Sequence, residues 1–206
     1  MEKLDVKSAK NSIFGLMDKT NKLVQAVHGG SARSCHFIDV IRHLIDFGTT
    51  LGFSLVFAVE VKQEIDERKY PPGLNQGIVV DYKLVSSETG IHKYSASDII
   101  CNLEKLHTRE DLTGQWMEAF LARSKAFVGK RNWCKYEQPR MLSLAMMEEV
   151  GELCGVLKFI DDSENEVSRR LYGEMVSEIC DIFIYFCRLS DLCGFFEHIK
   201  EEASRT

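Results

Sequence analysis

The sequence predicts an all-α protein, a helical bundle in which one chain carries two related helical halves as a pseudo-dimer. Three observations predict it: apolar residues recur at helical spacing along most of the chain, two acidic pairs sit one helical turn apart internally, and the chain matches itself at an offset of 142 residues. With 206 residues, 45% hydrophobic and 28% charged, the chain suits one globular unit or two small halves sharing a core.

The first half, residues 1–73, reads as three helices. Residues 5 to 27 place Ile13, Leu16, Leu23 and Val27 on one stripe that ends at Gly29-Gly30. A second helix, about 35 to 47, interleaves Phe37, Ile41 and Leu44 with Asp39, Arg42 and His43. A third, about 53 to 68, stops before Pro71-Pro72-Gly73, which cannot continue a helix. Residues 74–97 change character and read as a connector with a possible small hairpin. The second half, residues 98–206, resumes helical pattern near 96 to 106 and again through 112 to 128. A basic, aromatic turn from Lys130 to Arg140 follows, and Pro139 stands where a helix start tolerates proline. The helix it opens runs to about Phe159. After a polar loop, Ser163 and Glu166 have capping-box spacing for a last long helix reaching Cys193.

At the offset of 142, Ile38 falls on Cys180, Asp39 on Asp181, Leu44 on Phe186, Gly52 on Gly194 and Phe53 on Phe195. Helix period explains coincident apolar pairs but not the shared Asp, Gly and Phe. With a shorter loop in the first copy, Lys19 and Lys22 fall opposite Glu149 and Glu152, and His36 opposite Glu178. The first copy has therefore lost three of four carboxylates.

Composition excludes several classes. Net charge is −5 with pI near 5.7 and scattered Lys and Arg, so no extended nucleic-acid backbone is expected as partner. The seven cysteines lack C-x-x-C spacing and imply reduced thiols, with Cys180, Cys187 and Cys193 read as core. No apolar run is long enough for a membrane span, and the acidic start does not open a signal peptide, so no membrane partner and a cytoplasmic location are expected.

Glu149-x-x-Glu152 and Glu178-x-x-Asp181 put two carboxylates on one face of each of two helices joined by a short loop. An antiparallel hairpin converges all four, and hard oxygen-seeking cations such as Mg²⁺ relieve the repulsion. A solvated face is a poor account of Glu178 and Asp181, because Ile179, Cys180, Ile182, Phe183 and Ile184 surround them.

Trp133-x-x-Tyr136-x-Gln138-Pro139-Arg140, then Glu149-Val150-Gly151-Glu152-Leu153, then Glu178-x-x-Asp181-x-x-x-Tyr185, resembles the all-α nucleoside triphosphate pyrophosphohydrolases. This is the MazG-like superfamily, and its dCTP pyrophosphatase branch is the nearest in pattern over about residues 112 to 195. The resemblance implies Glu149, Glu152, Glu178 and Asp181 as catalytic ligands of Mg²⁺, with Mn²⁺ as a substitute. It also implies cleavage of a nucleoside triphosphate, such as the pyrimidine dCTP, between the α and β phosphates. Trp133 and Phe159 are expected to stack on the base, Glu137 to accept from an exocyclic amine, and Gln138, Arg140 and Tyr185 to contact substrate. Lys130, Arg131 and Lys135 are further candidates for the outer phosphates. Relatives end a fourth helix in a Lys-rich segment. Its counterpart here lies in the first half, so Lys62, Arg68 and Tyr70 are expected to reach the phosphates or the wall of the site. Three positions depart from the branch, which commonly has His at Glu137, Asn at Met141 and Trp at Phe159. Relatives build sites between subunits, so a homodimer imitating a tetramer is expected. The rival reading is a non-hydrolytic nucleotide-binding or regulatory protein of the same fold.

Overall fold

The computed structural model describes residues 2–72, 112–163 and 166–205. The expected connector at 74–97, its hairpin and the helix near 96 to 106 lie outside the described residues. Among the described residues seven α-helices follow in order: α1 (Val6–His28), α2 (Ser34–Leu51), α3 (Leu55–Lys69), α4 (Gly114–Lys130), α5 (Pro139–Leu157), α6 (Arg169–Leu192) and α7 (Phe196–Ala203). A 3₁₀ turn, Cys134–Tyr136, precedes α5. The all-α class is as the periodicity predicts.

Local chemistry sets the helix ends. Asp5, Ser54 and Thr113 each accept a backbone N–H of the first turn, at α1, α3 and α4 respectively. Pro139 opens α5 at a position where its missing N–H costs nothing. The start of α6 differs from expectation. Ser168, not Ser163, accepts from Leu171 N–H at 3.2 Å, while Ser163 turns back to Asp161. The reason is that β2 (Glu166–Val167) pairs antiparallel with β1 (Glu2–Lys3), so this backbone is satisfied in a ladder and the helix begins later.

The hairpin α1–α2 and the hairpin α5–α6 face each other through α1 and α5. The short third members cross over reciprocally, α3 onto α6 and α7 onto α2. One core results, in which Phe37, Ile41, Leu44 and Phe47 of α2 meet Ile179, Phe183 and Phe186 of α6, all fully buried. Phe37 stacks on Phe195 with ring centroids 4.8 Å apart and lies 6.1 Å from Phe186. The buried Tyr172 hydroxyl donates to the Leu51 carbonyl at 2.9 Å, tying α6 to the end of α2. Among the described residues no single helix is long and apolar enough to cross a membrane.

The 142-residue offset has a backbone counterpart. Gly52 ends α2 at φ 77°, and Gly194 follows α6 at φ 76°. In both turns the glycine N–H and the following phenylalanine N–H return to the last helical carbonyls: Gly52 to Thr49 at 3.1 Å and Phe53 to Gly48 at 3.1 Å, Gly194 to Asp191 at 3.0 Å and Phe195 to Ser190 at 2.7 Å. No atom crowds the space a Cβ would take at either glycine. Gly52→Ala and Gly194→Ala should therefore each cost only left-handed backbone strain, about 1 kcal/mol, and by similar amounts. Urea unfolding of the two variants checks this, and unequal costs would show that the turns are not equivalent.

Candidate active site

The site is built on α5 and α6. Glu149 and Glu152 lie one turn apart on α5, and Glu178 and Asp181 one turn apart on α6. The hairpin brings oxygens of Glu149, Glu152 and Glu178 within 4.8 Å of one another. Glu149 and Glu178 are half-buried and share a hydrogen bond. Burial, then the charges of Asp181 and Glu178, push the Glu149 carboxyl up to about 9 from an ordinary 4.5. Burial and Asp181 likewise push Glu178 up to about 7. Burial and mutual repulsion disfavour full ionisation of these groups, and three hard oxygen donors at this spacing suit a divalent cation such as Mg²⁺. Glu148, one residue off this face, is exposed and stands outside the cluster.

Asp181 faces a different partner. Lys62 of α3 donates to its Oδ1 at 2.7 Å and to Asp66 at 2.9 and 3.1 Å. Lys62 is only 8% exposed, and burial alone would pull its pKa down. The Asp181 and Asp66 carboxylates reverse this and hold it well above the ordinary lysine value. For Asp181, burial raises the carboxyl and Lys62 opposes it, leaving it at about 6. Thus three carboxylates converge and the fourth is joined to a lysine from the first half. Tyr185, one turn beyond Asp181, lines the same space, and burial pushes its hydroxyl pKa up.

These groups floor a cleft of about 930 Å³, within the range of small-molecule sites. Nine acidic and five basic side chains line it, so an anionic ligand can enter only with added positive charge. One wall is aromatic: Trp133 meets Tyr70 edge-on at 5.5 Å and Phe127 at 5.9 Å. The far end holds an ion pair, in which Arg188 Nε donates to Glu137 Oε2 at 3.1 Å and Nη2 abuts Oε1. Burial pulls the Arg188 guanidinium down to about 10.

Several expected residues lie elsewhere. Gln138 and Arg140 are exposed and do not line the cleft: Gln138 is the extended N-cap residue before α5, and Arg140 is out of phase with the face carrying Met141, Ala145, Glu149 and Glu152. Phe159 is 84% exposed beneath the Lys158 ammonium, because α5 ends at Leu157 and the chain turns away before reaching the cleft. Arg131 is no phosphate ligand. It is 1% exposed, donates to the Tyr70 carbonyl, to Phe127 O at 2.9 Å and to Glu67 at 2.8 Å, and stacks 3.5 Å from the Phe127 ring. It thereby locks the end of α3 to the end of α4. Lys62, Arg68, Tyr70, Trp133, Glu137 and Tyr185 do line the cleft. Sequence reasoning missed Asp66, Arg123, Phe127 and Arg188. Arg188 was legible in principle, since 178, 181, 185 and 188 form one helical stripe. In the first copy, Lys19 pairs with Asp39 at 3.4 Å, so that position neutralises itself.

Comparison with known proteins gives a distant relationship. The chain is 27% identical over 111 residues to dCTP pyrophosphatase 1 of Bos taurus, covering 52% of this chain and 56% of the relative. It is 34% identical over 70 residues to dCTP pyrophosphatase 1 of Homo sapiens, covering 32% of this chain and 41% of the relative. The chain thus spans about half the length of the curated relatives it matches. No family model matches, and no solved structure matches. The similarity is to nucleotide pyrophosphatases and is confined to partial lengths.

Proposed function

We propose that this protein is a Mg²⁺-dependent nucleoside triphosphate pyrophosphohydrolase acting on a pyrimidine deoxynucleotide such as dCTP, releasing the monophosphate and pyrophosphate. The observation that carries the reading is the convergence of Glu149, Glu152 and Glu178 at the floor of a cleft whose other wall is aromatic. The two dCTP pyrophosphatases it resembles support it. Glu149, Glu152 and Glu178, with Asp181 adjacent, would hold the ion. When bound, Mg²⁺ supplies charge neutralisation of the phosphates and a lowered pKa for attacking water. Glu149 or Glu152 would take the proton of the attacking water, and Lys62 and Arg68 would balance phosphate charge. Trp133 and Tyr70 exclude solvent from the nucleoside. Pairing into a homodimer through exposed apolar side chains such as Phe14 and Met17 of α1 and Leu144 of α5 completes the proposal. A non-hydrolytic nucleotide binder is the alternative, favoured by one observation: Lys62 already neutralises Asp181.

Incubation with Mg²⁺ and a panel of deoxynucleoside triphosphates should release pyrophosphate, with dCTP among the best substrates. Nucleotide binding without release would establish the alternative. Glu149→Gln and Glu178→Gln should each lower kcat/KM by about 100-fold or more, since each removes a carboxylate that would hold the ion or take a proton.

Lys62→Met leaves Asp181 and Asp66 without their cation. It should destabilise the chain by about 3 kcal/mol in metal-free buffer and lower kcat/KM at least about tenfold. Arg68→Ala should do less, because Arg68 is 63% exposed. Denaturant melts and steady-state assays of both variants check this, and unchanged kcat/KM in both would remove the first half from the phosphate site.

The raised carboxyl groups also set a pH dependence. The folded chain keeps protons that the unfolded chain releases. The stability from these groups is therefore complete below about pH 4, where the unfolded carboxyls titrate, and is lost as pH rises through about 6, 7 and 9 for Asp181, Glu178 and Glu149. Mg²⁺ should raise Tm more at pH 8.5 than at pH 6, where it must displace protons. Differential scanning fluorimetry at the two pH values decides this, and an equal increment would place the ion away from these carboxylates.

A further inference from the structure

Among the described residues, Asp181 is the one acid of the four on α5 and α6 that pairs with a cation. Lys62 Nζ lies 2.7 Å from Asp181 Oδ1, and 2.9 and 3.1 Å from the two oxygens of Asp66. These three contacts match the three donors of an ammonium. The side chains of Lys62, Asp66 and Asp181 are 8, 16 and 19% exposed, so little water competes for them. The grip is uneven. Asp66 lies one turn from Lys62 on α3 and takes two of the contacts, whereas Asp181 comes from α6 and takes one.

Glu149, Glu152 and Glu178 bring oxygens within 4.8 Å of one another, and Asp181 stands outside that group although it lies one turn from Glu178 on α6. An oxygen that accepts from an ammonium faces a positive charge where a second cation would have to approach. Lys62 and a divalent ion therefore compete for one carboxylate. Lys62, Asp66 and Asp181 all line the cleft. A phosphate oxygen entering it can replace Asp181 Oδ1 as acceptor, one charge-assisted hydrogen bond traded for another, while both contacts to Asp66 keep the ammonium in reach. Arg68 has no such leverage. It is 63% exposed and pairs at 3.7 Å with Glu64 on its own helix, so moving it frees no acid of the cluster.

We propose that Lys62 withholds Asp181 from the metal ion until a phosphate draws the ammonium away, so that phosphate and Mg²⁺ each tighten the binding of the other. Asp66 is the positioning residue that holds Lys62 through the exchange. The linkage is reciprocal, because both ligands favour the arrangement in which Asp181 is free. The inference rests on the metal and phosphate reading given above, but withholding Asp181 does not require hydrolysis, so the two can fail separately.

The test is calorimetric titration of Mg²⁺ into the metal-free full chain without nucleotide. Lys62→Met combined with Asp66→Asn removes one charge of each sign, so the net charge of the cleft is kept while Asp181 is released. This variant should bind Mg²⁺ about tenfold or more tighter than the wild-type protein. Adding Asp181→Asn should cancel that gain, whereas Asp181→Asn in the wild-type background should weaken Mg²⁺ binding far less. Lys62→Gln with Asp66→Asn keeps a neutral hydrogen bond to Asp181 and, as the milder substitution, should shift the affinity in the same direction. With free Mg²⁺ held by a metal buffer, saturating tripolyphosphate should tighten Mg²⁺ binding about tenfold more in the wild-type protein than in either double variant. Equal or undetectable Mg²⁺ affinity across wild type and both double variants overturns the proposal. So does a gain that persists after Asp181→Asn, or an equal effect of tripolyphosphate on all three proteins. If the affinities shift as stated but no triphosphate is cleaved, the withholding of Asp181 stands and the hydrolytic function falls.

Discussion

Three carboxylates held together in a half-buried cleft are the constraint to which the rest of the structure answers. Glu149, Glu152 and Glu178 approach within 4.8 Å, a distance at which like charges cannot all persist without a proton or a cation. The hairpin α5–α6 imposes the approach, because its buried faces carry Leu153, Val150, Ile179 and Ile182 and fix the rotation of both helices. The apolar core thus determines where the charge goes. It places the acids on the one edge of the hairpin that the core leaves open.

Lys62 shows how the halves depend on one another. It comes from α3, sits 8% exposed, and joins Asp181 to Asp66. An ion triad so placed gains little net stability against an apolar replacement, but losing one member is costly. Its value lies in geometry: it orients Asp181 beside the cluster and brings the end of α3, with Tyr70, against Trp133. Arg131 completes that junction through the Tyr70 carbonyl and Glu67. The N-terminal helix α3 thus supplies a wall and a cation to the acids on α5 and α6.

The reciprocal crossing of α3 onto α6 and of α7 onto α2 gives this division a physical basis. Each short helix covers a face of the opposite hairpin. On the first hairpin, Lys19 and Asp39 pair with each other, so the concentration of negative charge lies on α5 and α6.

Helix positions and the acidic pairs were legible in the sequence because both follow from short-range spacing. Apolar residues at three and four residue intervals fixed α1 to α6 to within a few residues but not the short α7, and the i,i+3 acids marked the site. The pairing of Glu2–Lys3 with Glu166–Val167, which delays α6, joins segments over 160 residues apart and leaves no local trace. Arg131 and Phe159 show the same limit. A basic residue in a basic turn and an aromatic near a helix end suggest ligand contacts, yet their roles depend on where α3 lies and where α5 stops. The sequence alone determined the helical class and the acids that lie one turn apart on α5 and α6, since these rest on local periodicity and residue chemistry. Only the tertiary structure decided that three carboxylates converge while Asp181 turns to Lys62, and that Arg188 meets Glu137, because those contacts arise from packing between helices distant in the chain.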